Sequence, residues 1–245
     1  MEKPEDLLKL IPPEVLKEIY KDAASKPLIE ASNLGTDLIK TGRLLLAPLQ
    51  LGSALQDRFS HFLKEKVSKI PDEKLIEPPV QIIGPSLEKM RYIEEDSPLW
   101  KMFEELILKA VNKDDIDKAH PSFVHIIGQL SHDEALLLYE LSKGEFEITD
   151  TMDLDRVNNR FINRRIEKST IPKENLYYPE NDNLYYNHLE SLSLVSWPVI
   201  KETSIGSGAN QTGTRRISKW VLTDFGKLFI EACIPEKGFE SDSAE

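Results

Sequence analysis

Residues 183–233 carry the clearest pattern of apolar and polar positions, and this pattern predicts a fixed order of elements. The β-branched and aromatic run at 194–200 predicts a strand. Pro198 inside that run favours an edge position, because proline has no N–H to donate to a ladder. Residues 203–214 hold three glycines among Ser, Thr, Asn and Gln, which predicts a flexible loop. The apolar pattern returns at 217–222 and predicts a second strand.

A helix is predicted on each side of these two strands. Leu189 and Leu192 supply the apolar positions of a short first helix. Thr223 is typical of an N-cap, because its hydroxyl can accept a backbone N–H of the following turn. The apolar residues that follow at helical spacing are Phe225, Leu228, Phe229 and Ala232. The order helix, strand, glycine-rich loop, strand, helix predicts the C-terminal half of a winged-helix domain, with the loop as its wing.

Apolar positions at a period near 3.6 predict helices through most of the remaining chain. These predicted helices cover residues 12–24, 28–46, 55–70, 79–93, 98–111, 121–130, 132–143 and 154–166. Ser131 and Glu134 predict a capping box at the start of one of them. The predicted fold class is mainly α, with an N-terminal helical region over 1–119. A winged-helix domain with a small antiparallel β-wing follows over 120–235, and a polar tail over 236–245.

The composition is that of a soluble globular protein, with 245 residues, 30% of them charged, and a formal net charge of -11. This excess of acid argues against indiscriminate nucleic-acid binding. Cys233 is the single cysteine, which excludes an intramolecular disulfide and indicates a reducing, cytoplasmic setting. Two runs without charged residues, 44–56 and 119–132, are shorter than the roughly 20 apolar residues that span a bilayer. They argue against an integral membrane protein and leave peripheral membrane contact open.

Arginines are concentrated around the predicted wing. Residues 151–220 hold ten Lys or Arg and eight Asp or Glu, a net charge of +2, while the rest of the chain carries -13. Arg156, Arg160 and Arg164 lie four apart, which aligns them on one face of the predicted 154–166 helix. One interpretation is phosphate contact, which positions a protein on nucleic acid without reading bases. The interpretation we favour is a solvated face with local ion pairs. The acids available for such pairs are Asp153, Asp155 and Glu167.

Four further residues complete the candidate binding surface. Arg215 and Arg216 flank the predicted wing, and Tyr185 and Tyr186 lie on the short helix before it. The segment 183–190 of that helix contains no Lys or Arg, which is a poor composition for a high-affinity DNA reader. A winged helix can equally present a protein-binding face, so the fold alone does not decide the partner.

The sequence predicts no catalytic residues, no cofactor and no metal site. Its five histidines have no metal-ligand spacing, and there is no second cysteine. Ser131, His132 and Asp133 are triad residue types, but neighbours at a helix start point apart, and the capping box already explains the serine. The loop at Gly206 and Gly208 lacks the Gly-Lys-Ser/Thr ending of a phosphate-binding loop. The chain is therefore predicted not to be an enzyme.

Short motifs spread along the chain point to a family. They are Leu46-Ala47-Pro48-Leu49, Glu77-Pro78-Pro79 with Gly84-Pro85, His120-Pro121-Ser122-Phe123-Val124 with Ile126-Ile127, Leu130-Ser131-His132-Asp133-Glu134-Ala135, and Leu222-Thr223-Asp224-Phe225-Gly226. Together they resemble the bacterial abortive infection alpha family, from about residue 28 to residue 233, most specifically over 120–135. The resemblance implies a bacterial protein associated with defence against phage, and it supplies no catalytic residues.

The leading hypothesis is a non-enzymatic phage-defence protein that acts through protein–protein binding, with a partner protein or by self-association. The first alternative is a winged-helix DNA-binding regulator. The second is a membrane-directed effector that uses the small residues Gly35 and Gly42 of the 28–46 helix and the uncharged run from Leu44 to Leu55.

Overall fold

A computed structural model describes residues 53–239 of the chain. The helices predicted at 12–24 and 28–46 lie outside the described residues, as does the end of the polar tail from residue 240. The described part holds seven α helices. They are α1 (Ser53–Glu65), α2 (Val80–Met90), α3 (Pro98–Val111), α4 (Pro121–Ile127), α5 (His132–Lys143), α6 (Asp182–Ser191) and α7 (Asp224–Cys233).

The chain divides into two compact units. Of the described residues, one unit comprises those up to Glu95 together with Leu106–Pro121, and the other comprises Asp96–Glu105 together with those from Ser122 onward. Helix α3 contributes residues to both units. In the first unit, Phe59 and Phe62 of α1 are buried, three positions apart, with ring centroids separated by 5.7 Å.

Side-chain caps fix the starts of two helices in the second unit, as predicted. The Ser131 Oγ accepts the Glu134 N–H at 3.3 Å, and the Ser131 N–H donates to the Glu134 carboxylate at 2.7 Å. The Thr223 Oγ1 accepts the Gly226 N–H at 2.8 Å at the start of α7. At the other end of α7, Cys233 is buried, and burial raises the pKa of its thiol.

The second unit also contains a five-stranded antiparallel sheet. Its strands are β1 (Phe146–Asp155), β2 (Arg160–Ser169), β3 (Val195–Ser196), β4 (Val199–Ile205) and β5 (Gly213–Leu222). Strands β2, β1 and β5 are adjacent in that order, and β3 and β4 both pair with β5 on the side away from β1. Strands β2 and β4 therefore form the two long edges. Pro198 stands between β3 and β4 on an edge, which confirms the predicted position.

The prediction of a mainly α chain, with a winged-helix domain and a small β-wing, is wrong. The five-stranded sheet is a large part of the described chain, and two of its ten-residue strands, β1 and β2, replace the helix predicted over 154–166. A strand repeats every two residues, so residues four apart share a face in a strand as well as in a helix. The turn between the strands ends at Asn159, whose φ of 48° is a left-handed conformation that asparagine tolerates.

The glycine-rich loop is shorter than predicted, because β4 continues to Ile205 and β5 already begins at Gly213. Gly206 turns the chain with a φ of 79°. Gly213 is required for a different reason, since a Cβ there would collide with the carbonyl oxygen of Met152 on β1. Two of the loop's glycines thus serve the sheet itself.

Candidate binding site

Asp150 on β1 is a buried carboxylate held by two arginines. Its side chain is 1% exposed. Arg216, its Cα partner on β5, donates to Oδ1 from Nε at 3.2 Å and from Nη2 at 3.1 Å. Arg164 on β2 donates from Nη2 to Oδ2 at 3.0 Å. The carboxylate therefore joins three neighbouring strands, and the cluster keeps a positive charge because two guanidinium groups meet one carboxylate.

Arg164 lies beside Asp150 where the ladder between β1 and β2 is irregular. The register shifts between Thr151 and Asp153 on β1. Opposite that shift, Asn163 on β2 has a left-handed φ of 54°. Irregularities of this kind re-aim side chains and are common next to functional sites. Here the side chain that follows Asn163 is the one that bonds the Asp150 carboxylate.

Two aromatic side chains, Trp197 and Tyr186, lie next to Arg164. The guanidinium carbon of Arg164 lies 4.7 Å from the centroid of the Trp197 ring, a cation–π geometry that fixes the plane of the guanidinium group. The Trp197 indole N–H donates to the Ser218 hydroxyl at 2.6 Å. Tyr186 on α6 meets the Trp197 ring edge-on at 5.0 Å, and its hydroxyl bonds to Glu190. Burial and that hydrogen bond raise the pKa of the Tyr186 hydroxyl.

These groups line an open cavity of about 230 Å³. Its lining residues are Asp150, Arg164, Tyr186, Trp197, Val199, Arg216 and Ser218. Arg164 and Arg216 contribute charge and hydrogen-bond donors to the lining, and Tyr186, Trp197 and Val199 contribute aromatic and apolar surface. Such a combination of a few convergent polar groups with aromatic walls is typical of a ligand pocket.

The structure brings three of the seven predicted site residues together at this cavity, namely Arg164, Tyr186 and Arg216. The other four lie elsewhere and bond to other groups. Arg156 donates to the Gln211 carbonyl, Arg160 pairs with Asp155, Arg215 pairs with Glu167 at 2.7 Å, and Tyr185 bonds to Asp133. Arg156, Arg160 and Arg164 therefore do not form a continuous contact surface on a helix.

The β1–β2 hairpin balances its own charge. Each of the three acids expected to form local ion pairs on a helix face forms an ion pair, but with a partner across a turn or on another strand of the sheet. The pairs are Asp153 with Arg165, Asp155 with Arg160, and Glu167 with Arg215. Residues 146–169 hold five acids and five bases. The acids are Glu147, Asp150, Asp153, Asp155 and Glu167, and the bases are Arg156, Arg160, Arg164, Arg165 and Lys168.

Tyr185 belongs to a second buried network, at the start of α5. The Asp133 carboxylate accepts hydrogen bonds from the N–H groups of Tyr177 and Tyr178, each at 2.9 Å, and from the Tyr185 hydroxyl at 2.7 Å. Burial alone would raise the pKa of Asp133, but these hydrogen bonds outweigh it and hold the pKa below its usual range. Burial, with the bond to Asp133, raises the pKa of Tyr185 to about 12. This network connects α5, the loop before α6, and α6 itself.

Sequence reasoning missed the other four lining residues, which are Asp150, Trp197, Val199 and Ser218. One signal could have found the first of them. Even-numbered positions of β1 are apolar at Phe146, Ile148, Met152 and Leu154, and Asp150 is the exception. A polar residue in the apolar series of a strand marks a local conflict, which is where functional sites are expected.

Metal-ligand clusters and membrane-spanning helices are both absent from the part of the chain that the structure describes. No three His, Cys, Asp or Glu side chains there lie close enough together to hold a metal ion. Among the helices of the same residues, none combines the length and the apolar character needed to cross a membrane.

Comparison with known proteins gives one match. Residues 53–233 match the family described as abortive infection alpha, which is most of the chain and nearly all of its described part. No curated protein matches the chain. No solved structure matches it either.

Proposed function

Because the chain belongs to the abortive infection alpha family, which gives it a role in defence against phage, we propose that it acts by binding a partner protein rather than by catalysis. We place this action in the cytoplasm, in line with the single buried cysteine. The surface that we assign to the partner is the β4 edge, together with the cavity that adjoins it.

The exposure of β4 supports this proposal. All seven residues of this edge strand are exposed. Three of them are apolar, and Ile200 is 57% exposed. Within residues 53–239, β4 pairs with β5 only, so its outer edge keeps unpaired backbone groups. Pro198, the register shift between Val199 and Lys201, and the charges of Lys201 and Glu202 limit indiscriminate pairing at this edge. The edge is still a template for a complementary strand from another chain.

The charge of β4 favours a different protein over a second copy of this chain. Two-fold antiparallel pairing about the middle of the strand sets Glu202 opposite its own symmetry mate. A shift of the axis by one residue toward the N-terminus sets Lys201 opposite Lys201, and among these three registers only the shift toward the C-terminus, with Thr203 opposite Thr203, avoids like charges. Like charges directly opposite each other destabilise a strand pair. A partner strand of another sequence avoids this repulsion.

The ion pairs of the sheet argue against duplex DNA as the partner. Binding to DNA draws its strength from cations that neutralise phosphates and release counterions. The arginines of the hairpin are instead bonded to carboxylates or to a carbonyl of the same chain. The hairpin is neutral and the chain carries -11, so little free positive charge is left for phosphates.

Site-specific photo-crosslinking in phage-infected cells tests the proposal. A photoreactive residue replaces Ile200 on β4, and a matched control replaces Leu228 on α7, which is 56% exposed. We expect one discrete protein adduct at position 200 and none at position 228. We also expect Ile200→Lys to reduce protection against phage plating, and Leu228→Lys to leave it unchanged. Full protection by Ile200→Lys, with no adduct at position 200, would overturn the proposal.

A further inference from the structure

We propose that the cavity formed by Asp150, Arg164 and Arg216 binds the side-chain carboxylate of an aspartate or glutamate of the partner protein. This inference rests on the proposed function, because it assigns the chemistry of the partner at the β4 edge. Its test uses small probes and the protein alone, so that its outcome does not depend on identifying the partner.

The charge of the cluster matches a monoanion. Among the three bonded groups, two guanidinium groups and one carboxylate leave one positive charge. Glu202, the Cα partner of Arg216 on β4, accepts a hydrogen bond from the Thr214 hydroxyl and forms no ion pair with Arg216 in the described structure. A carboxylate carries one negative charge, whereas a phosphomonoester carries about 1.5 to 2 negative charges at neutral pH. A phosphate in the cavity would also face the fixed negative charge of Asp150. The cluster is therefore better suited to a carboxylate than to a phosphate.

The arginines keep hydrogen-bonding capacity toward the cavity. A guanidinium group has five N–H donors in a planar fork. In the described structure, Arg164 bonds Asp150 through one nitrogen, and Arg216 through two. Their side chains are 33% and 26% exposed, while Asp150 is inaccessible. An arriving carboxylate can thus accept hydrogen bonds from both arginines without displacing the buried acid.

The size and position of the cavity indicate a side chain. Its volume of about 230 Å³ lies below the roughly 300–1,000 Å³ of pockets for drug-sized ligands. Val199 both lines the cavity and begins β4. A partner strand that pairs along the whole β4 edge runs past the cavity. It therefore presents a side chain to the cavity and not its terminal carboxylate. Trp197 and Tyr186 then cover the methylene groups of that side chain.

Nuclear magnetic resonance of the indole N–H groups gives a direct readout. The chain has three tryptophans, and Trp100 and Trp220 are each 1% exposed, whereas Trp197 lines the cavity. Trp197→Phe assigns the signal of Trp197 by its loss. The probes are acetate, its neutral counterpart acetamide, and inorganic phosphate, all at constant ionic strength. We expect acetate alone to shift the Trp197 signal in a saturable way.

Two isomeric probes then separate the possible sources of the carboxylate. N-acetylglutamic acid α-amide carries only the side-chain carboxylate, and N-acetylglutamine carries only the terminal one. We expect the first to bind at least about tenfold more tightly, a difference of about 1.4 kcal/mol. Equal binding, preference for N-acetylglutamine, or preference for phosphate would each overturn the assignment.

Variants tie the shift to the arginines. Arg216→Gln should weaken acetate binding by about tenfold or more, as expected for loss of a charge-assisted pair. Arg215→Gln is the matched control, because the neighbouring Arg215 bonds Glu167 and does not line the cavity. If Arg216→Gln does not fold, the comparison of acetate with acetamide on the wild-type protein still tests whether the cavity binds a carboxylate. Absence of any acetate shift, with a protein adduct formed at Ile200, would refute this inference and leave the proposed function standing.

Discussion

Asp150 and Arg216 lie directly opposite each other on β1 and β5, and two guanidinium nitrogens of Arg216 lie 3.1 and 3.2 Å from one oxygen of the Asp150 carboxylate. The second oxygen accepts a hydrogen bond from Arg164 at 3.0 Å and a longer one from Arg216 at 3.5 Å. The acid is buried, and its two partners are partly exposed. The pair therefore belongs both to the interior of the sheet and to the wall of the cavity.

Asp150→Asn should destabilise the protein. The change leaves two guanidinium groups close together without a compensating charge, and we expect a loss of about 3 kcal/mol, the lower end of the range for breaking a buried pair. The lower end applies because the arginines are partly exposed. Urea unfolding measures the effect. Asp153→Asn is the control on the same strand, since its pair with Arg165 is exposed and should matter little. Equal stability of Asp150→Asn and wild type would contradict this role.

Asp133 should make stability depend on acid pH. Its pKa is lowered in the folded state, so the folded protein binds fewer protons than the unfolded chain as pH falls. The contribution is complete above the ordinary aspartate pKa of about 4 and is lost as pH falls through the lower folded value. Unfolding free energies between about pH 5 and 3 should therefore fall more steeply for wild type than for Asp133→Asn. Parallel curves would show that Asp133 is not the group responsible.

Gly226→Ala should destabilise the start of α7. A Cβ at this position would collide with the carbonyl oxygen of Leu194, and we expect a loss of about 1–3 kcal/mol for the forced shift. Thermal unfolding measures it. Gly144→Ala serves as the control, because a Cβ there meets nothing within 4 Å. That control should change stability by less than about 0.5 kcal/mol. If Gly226→Ala has the same thermal stability as wild type, then α7 and the loop that holds Leu194 can move apart without a loss of stability.

The protein should not bind duplex DNA through its arginines. Arg156, Arg160 and Arg164 are each bonded to another group of the same chain. Few counterions can therefore be released when they contact phosphates. Fluorescence anisotropy with labelled duplex DNA at low salt checks this expectation. Affinity that falls about a thousandfold between about 50 and 200 mM salt would instead indicate six or more phosphate contacts and contradict it.

Local signals in the sequence were sufficient wherever a few neighbouring residues decide the structure. Ser131 and Thr223 mark helix starts through side-chain caps, and Pro198 marks an edge because it lacks an N–H. These features depend on hydrogen bonds within a few residues, so they can be predicted without knowing the fold.

The sheet and the cavity were not predictable in this way. Arginines four apart satisfy a helical period and a strand period alike, so Arg156, Arg160 and Arg164 did not distinguish the two. The alternation that would have favoured a strand is interrupted at Asp150, an acid that is tolerated in the interior only because Arg164 and Arg216 arrive from distant parts of the chain. The polar exception at Asp150 is visible in the sequence, but the arginines that neutralise it cannot be read from its neighbours, because they lie 14 and 66 residues away.

The bridging of three strands by Asp150 has an evolutionary consequence. Loss of the acid alone leaves two cations without an acidic partner, and loss of both arginines alone leaves a buried anion without a basic partner. The three positions should therefore change together among family members, either kept as a set or replaced jointly by uncharged residues. An alignment in which positions 150, 164 and 216 vary independently would show that the charges are not coupled, whereas joint replacement would identify members that recognise a different chemical group.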